Sequence, residues 1–213
     1  MLNMSNTIIW YFDFISPFAY LQQVRFREFS DDVTIQSRPI LFAGLLNHWQ
    51  HKGPAEIPAK RLFTYQHVAW LAKRQGVQLR MPPAHPFNPL RPLRLAIAME
   101  NDMGVIAKIF KYIWHDGLSI DDDASWYEFV SSLGINEPDK FINQTAVKQQ
   151  LRKNTEAALE KGVFGVPTII ADGHLFWGND ATDMYLDYQQ DPGFYEDPQL
   201  KFIDTIPEAA SRR

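Results

Sequence analysis

Ile8, Ile9, Trp10, Tyr11, Phe12, Phe14 and Ile15 form an apolar run broken only by Asp13. A run this short and continuous fits a strand covered on both faces, the condition found in parallel sheets. It leads straight into a helix start. Ser16 stands at an N-cap position, and Pro17 at the first helical position, where its missing N–H costs nothing. The helix is predicted over 18–29, with Phe18, Leu21, Val24 and Phe29 able to bury one side. Residues 33–37 alternate and read as a second strand, closed by Pro39. A β-α-β opening implies a parallel pair joined by a right-handed crossover.

From about residue 40 the pattern changes. Residues 41–49 are apolar with little period-2 character, and Gly53, Pro54 and Pro58 punctuate a loop. Leu62, Tyr65, Val68, Ala69 and Ala72 recur at helical spacing, which predicts a helix over 61–75 stopped by Gly76. Residues 81–92 hold five of the chain's 14 prolines and read as a stiff, irregular loop of the kind that lines sites. Helical signals return over 93–99, 105–115, 126–133 and 140–161, the last as one or two helices ended by Gly162. The acidic run at Asp121, Asp122 and Asp123 reads as a solvated cap region that suits a helix dipole. Strand character returns over 166–170, opening with Pro167, and Asp172-Gly173 signals a two-residue hairpin turn before a return strand over 174–177. A last helix is predicted over 181–189, followed by an irregular, loosely packed tail from Asp191.

The order is β-α-β, a block of helices, then β-β-α. This is an α/β chain with a thioredoxin-like fold and an inserted all-helical domain. The boundaries fall at 1–40 and 162–213 for the thioredoxin-like part and at 41–161 for the insert.

The totals narrow the function. At 213 residues, 46% of them hydrophobic, the chain can bury one sizeable core. A net charge of −4 argues against a general nucleic-acid surface. No apolar run approaches the ~18 residues that span a bilayer, and the N-terminus shows no secretory signal pattern. The chain has no cysteine, so it has no disulfides, thiolate metal ligands or protein-borne thiol chemistry. The cytoplasm is the expected compartment. His48 and His51 share a helical spacing but lack a third ligand, so no metal site is expected. No G-x-S-x-G elbow and no glycine-rich phosphate loop is present.

Taken alone, Ser16-Pro17 is a helix start. Three segments together say more: Asp13-Phe14-Ile15-Ser16-Pro17-Phe18, Gly165-Val166-Pro167-Thr168, and Phe176-Trp177-Gly178-Asn179-Asp180. In order and spacing they resemble the 2-hydroxychromene-2-carboxylate isomerases, relatives of kappa-class glutathione transferases among the disulfide oxidoreductases of this fold. The resemblance covers nearly the whole chain. In those oxidoreductases the first helix opens with Cys-x-x-Cys; here the matching residues are Ser16-Pro17-Phe18-Ala19.

The resemblance implies that bound glutathione supplies the sulfur, with Ser16 as its catalytic neighbour. A helix N-terminus and a hydroxyl donor both favour a thiolate. It also implies a cis peptide at Val166-Pro167, leaving the Val166 backbone to pair with the cysteinyl part of glutathione. Asn179 and Asp180 would cap the last helix and hold the γ-glutamyl end. Lys60 would contact glutathione's other carboxylate or the substrate. Phe18, His85 and Asn88 are candidate contacts to an acidic aromatic substrate, with Trp49, Phe87 and Trp177 as further aromatic walls. Asp13 is expected to accept backbone hydrogen bonds. The implied activity is glutathione-dependent isomerisation of a small aromatic acid. A kappa-like transferase or peroxidase, or a non-catalytic binding member of the fold, are the alternatives. The resemblance leaves a homodimer open.

Overall fold

The computed structural model describes residues 6–203 and 205–209. Four strands form one mixed sheet in the order β2-β1-β3-β4. Strand β1 (Thr7–Phe12) runs parallel to β2 (Thr34–Pro39), with Trp10 opposite Ser37 and Phe12 opposite Pro39. It runs antiparallel to β3 (Thr168–Ala171), which pairs in turn with β4 (His174–Trp177). Helix α1 (Pro17–Arg25) makes the crossover between β1 and β2. The α/β class and the thioredoxin-like order of elements are those expected from the sequence.

Between β2 and β3 lie α2 (Phe42–His48), α3 (Pro58–Arg74), α4 (Leu90–Ala98), α5 (Met103–Phe110), α6 (Asp123–Ser132), α7 (Pro138–Ile142) and α8 (Thr145–Glu160). Helix α9 (Ala181–Gln190) follows β4, and α10 (Pro198–Ile203) lies in the tail.

Alternation along β1 sends its side chains to two cores. Trp10 and Phe12 stack on each other with centroids 4.1 Å apart, and Phe110 of α5 lies 6.0 and 5.7 Å from them. Phe14, just past the strand, comes to 4.6 Å from the same ring. Tyr11 points the other way and is buried with Ile40, Leu45, Val163 and Val166. Phe110 is fully buried where the three aromatics converge. Emptying that position would cost about 3–5 kcal/mol.

The predicted elements shift in several places, among them β3, which begins at Thr168 and not at 166, and α5, which ends at Phe110 before a π turn over Lys111–His115. Helix α1 stops at Arg25, and a tight 3-10 turn over Phe26–Glu28 continues it. That tighter turn brings Phe26 against Trp10 at 4.8 Å and Phe29 against Tyr185 at 4.8 Å. Residues 42–48 are helical because distant groups satisfy the first N–H donors. Phe42 N–H donates to Asp13 Oδ2 at 2.9 Å, and Leu41 N–H to Thr155 Oγ1 at 3.1 Å. The proline-rich loop ends early, since α4 begins at Leu90. The tail is not irregular: a 3-10 turn over Pro192–Glu196 and α10 order it, and Tyr195 stacks on His174 at 3.6 Å.

Candidate active site

The turn from β1 into α1 is built around Asp13. Its side chain is fully buried and accepts from Ile15 N–H at 3.0 Å and Phe42 N–H at 2.9 Å. This is the structural role expected for it. Burial pushes the carboxyl up to about 7, against the lowering effect of those two N–H donors. The backbone of the turn is equally tied. Ser16 N–H donates to Asp13 O at 3.1 Å, Trp114 Nε1 to Phe14 O at 2.8 Å, and Ile40 N–H to Phe12 O at 2.9 Å.

Ser16 is buried at the N-cap of α1, where its Oγ accepts from Ala19 N–H at 3.2 Å. The same hydroxyl reaches the Val166 carbonyl at 3.5 Å, the outer limit of a hydrogen bond. No acidic residue lies in the first turn of α1 itself; the carboxyl next to it in sequence is Asp13, engaged by the Ile15 and Phe42 N–H groups. The Phe18 N–H has no hydrogen-bond partner among the described residues and stands as an open donor.

The Val166-Pro167 peptide is cis, and it packs across the start of α1 from the entry to β3. The Val166 N–H is without a partner among the described residues, while Pro167 O accepts from Gly178 N–H at 2.8 Å. Gly165 sits directly under Trp177, whose Nε1 lies 2.3 Å from where a Cβ would stand. A side chain there would have to push the Trp177 ring aside.

Gly178, at a positive φ of +91°, turns β4 into α9 and presents Asn179 and Asp180. Asn179 is buried, and its side-chain oxygen has no hydrogen-bond partner. Asp180 is exposed and makes no capping bond to α9 and no ion pair among the described residues. The expected capping by these two side chains is therefore absent. The Asn179 backbone carbonyl receives Thr182 N–H instead, at 3.3 Å.

Sequence reasoning missed the groups that hold this turn against α1. Gln22 is fully buried; it accepts from Trp10 Nε1 at 2.8 Å and donates to Gly178 O and Thr182 Oγ1, both at 3.0 Å. Arg25 pairs with Glu28 and Asp183 and donates to Asn179 O at 3.3 Å. The available signal was two polar side chains, Gln22 and Arg25, one turn apart on a helix that follows an apolar strand.

The other predicted residues fall in different places. His85 lies against the turn, with Nε2 2.8 Å from Ile15 O and Nδ1 2.7 Å from the Tyr65 hydroxyl, so both ring nitrogens are engaged within the chain. Phe87 packs on His85 and Trp114 at 5.8 and 6.2 Å. Phe18 meets His67 of α3 at 5.8 Å. Trp49 donates to Val163 O at 3.0 Å, and Trp177, half exposed, meets Phe164 edge-on at 4.8 Å. Asn88 accepts from Leu90 N–H at 3.1 Å and so serves the start of α4. Lys60 is exposed on the first turn of α3 and makes no hydrogen bond or ion pair among the described residues. Among those residues there is also no His/Cys/Asp/Glu cluster able to hold a metal, and no helix long and apolar enough to cross a membrane.

Four polar groups on the three motif segments have no hydrogen-bond or ion-pair partner among the described residues. They are the Phe18 N–H, the Val166 N–H, the Asn179 side-chain oxygen and the Asp180 carboxylate. The Asn179 oxygen is one of the buried side-chain atoms left without a hydrogen-bond partner among the described residues.

The chain has relatives among known proteins. The chain is similar to the 2-hydroxychromene-2-carboxylate isomerase of Sphingobium xenophagum, 28% identical over 196 residues that cover 88% of this chain and 100% of the relative. It is similar to glutathione S-transferase kappa 2 of Caenorhabditis elegans, 26% identical over 209 residues covering 88% and 93%. A solved structure of 2-hydroxychromene-2-carboxylate isomerase superposes with a TM-score of 0.75 at 23% identity, over 91% of this chain and 98% of that one. The family model of the DSBA-like thioredoxin domain matches residues 7–190. With its mixed sheet, its helix start at Ser16 and its proline loop at Val166-Pro167, this chain belongs to the DSBA-like thioredoxin domain family.

Proposed function

We propose that the chain is a glutathione-dependent isomerase of 2-hydroxychromene-2-carboxylate-type aromatic acids. The observation that carries the reading is the placement of Ser16. Its hydroxyl sits at the N-terminus of α1, opposite the Val166 carbonyl, where dithiol members of the fold carry their first cysteine. With no cysteine in the chain, the sulfur must come from a ligand.

Bound there, glutathione would supply a thiolate for reversible addition to a conjugated double bond, which could then rotate as a single bond until the thiolate leaves again. The chain's own groups do the rest. The Ser16 hydroxyl turns from the distant Val166 carbonyl and donates to sulfur, and the Phe18 N–H and the α1 dipole favour the ionised form. The Val166 N–H and C=O take the cysteinyl backbone. The Asn179 oxygen and the Asp180 carboxylate take the ammonium of the γ-glutamyl end. Lys60, exposed on α3 and without an ion pair among the described residues, would meet the remaining carboxylate or the acid of the substrate. Phe18, Phe87, Trp49 and Trp177 supply apolar walls, and the helices of 41–161 act as the insert that closes over the site. His85 and Asn88 are spoken for within the chain and contribute to the shape of that wall.

A kappa-like transferase is the second reading, favoured by the similarity to glutathione S-transferase kappa 2 across 93% of that relative's length. It uses the same glutathione site. Calorimetry with glutathione tests both: binding is expected, and its absence at millimolar ligand contradicts both. Turnover of an unsaturated aromatic keto acid without net consumption of glutathione then selects the isomerase, and conjugation of a general electrophile selects the transferase.

A further inference from the structure

Two successive peptide planes ahead of Ser16 are each gripped at both ends. The Phe14–Ile15 peptide places its oxygen on Trp114 Nε1 at 2.8 Å and its N–H on Asp13 Oδ1 at 3.0 Å. The Ile15–Ser16 peptide places its N–H on Asp13 O at 3.1 Å and its oxygen 2.8 Å from His85 Nε2. The second plane is the one from which the Ser16 side chain departs. Its tilt sets where the hydroxyl points and where the open N–H of the first turn of α1 points.

His85 is itself oriented. Its Nδ1 lies 2.7 Å from the Tyr65 hydroxyl, and its ring meets Trp114 edge-on at 5.4 Å. With burial favouring the neutral ring, Nε2–H donates to Ile15 O and Nδ1 accepts from the Tyr65 hydroxyl, which also lies 3.0 Å from the His85 carbonyl oxygen. Burial lowers its pKa and outweighs the Ile15 carbonyl, which acts in the opposite direction.

We propose that His85, held by Tyr65 of α3, is a positioning residue that fixes the Ile15–Ser16 peptide and so aims the Ser16 hydroxyl at the ligand sulfur. The proline-rich loop thereby acts on the site through a hydrogen bond to the backbone, not by touching substrate. The inference rests on the glutathione reading and goes beyond it.

The test uses the full chain. Nitrogen-15 NMR of the imidazole should show His85 protonated at Nε2 and bare at Nδ1 across neutral pH; protonation at Nδ1 there overturns the proposal. In His85→Phe, glutathione affinity should fall by about three- to tenfold, as expected for one lost hydrogen bond. The ultraviolet band of bound thiolate should also titrate at higher pH than in the native protein. His85→Gln, which can offer an amide N–H to Ile15 O, should recover much of both. A folded His85→Phe with an unchanged thiolate titration overturns the proposal. If His85→Phe does not fold, Tyr65→Phe decides in the same way, since it frees the ring without removing it. Native protein that binds no glutathione while His85 still shows the Nε2–H tautomer marks failure of the glutathione reading, and this inference falls with it. Binding with an insensitive thiolate marks failure of this inference alone.

Discussion

Gln22 Nε2 donates to the Gly178 carbonyl at 3.0 Å, joining α1 to a turn 156 residues away. The same side chain accepts from Trp10 Nε1. One buried amide therefore ties β1, the active-site helix and the Asn179-Asp180 turn together. Gln22→Leu keeps the bulk and strands those partners. It should destabilise the protein by about 2–4 kcal/mol in urea denaturation, because several buried polar groups lose partners at once. A loss below about 0.5 kcal/mol would mean that the network is dispensable.

Trp114 makes a simpler test of the turn. Trp114→Phe preserves most of the aromatic packing and removes the donor to Phe14 O. The expected cost is about 1–3 kcal/mol for one buried carbonyl left unpaired. Hydrogen exchange should localise the loosening to 13–16. Unchanged exchange there would show that Trp114 contributes bulk alone.

Asp13 predicts a pH dependence. Its carboxyl is raised from 3.8 to about 7, with burial as the main cause. Between about pH 4 and about pH 7 the folded state holds a proton that the unfolded chain has released. Stability from this group is therefore greatest at low pH, falls as pH rises through that window, and is level above it. Asp13→Asn removes the titration and leaves an amide that can accept only one of the two N–H bonds well. The variant should be less stable than the native protein at pH 5, by a margin that narrows by pH 8. A margin that stays constant with pH would contradict the raised carboxyl.

Asp180 separates binding from stability. It caps nothing and is exposed, so Asp180→Asn should leave the unfolding midpoint within about 0.5 kcal/mol of native. Glutathione affinity should fall by about two- to fivefold, the scale of an exposed ion pair. The loss should vanish with a glutathione whose amino group is acetylated. An equal loss with both ligands would show that Asp180 does not read the ammonium.

Much of this was legible in the sequence because it is written locally. The run from Ile8 to Ile15, the Ser16-Pro17 start and the Asp172-Gly173 turn each carry their own signal, and strands β1, β3 and β4 and helix α9 follow from them. Helix α2 was not legible, since its first donors are satisfied by Asp13 and Thr155, far away in the chain. The ordered tail was missed for a similar reason: Tyr195 is held by His174. At the site, Ser16 meets the Val166-Pro167 loop at the start of α1, while the Asn179-Asp180 turn is held by Gln22 and Arg25 farther along that helix. Gln22, Arg25, Trp114 and the backbone bond of His85 were hidden because each reaches a backbone carbonyl or side chain far away in the chain, which no sequence motif records.

The central claim is that Ser16 holds a ligand thiolate. The direct measurement is the ultraviolet thiolate band of glutathione bound to the native chain and to Ser16→Ala near neutral pH. Ser16→Ala also removes an N-cap, so a stability loss of about 1 kcal/mol is expected alongside. The account predicts that the native protein binds glutathione as thiolate, and that in the folded variant the band weakens and forms only at higher pH. A band of equal strength and equal pH midpoint in Ser16→Ala would contradict it.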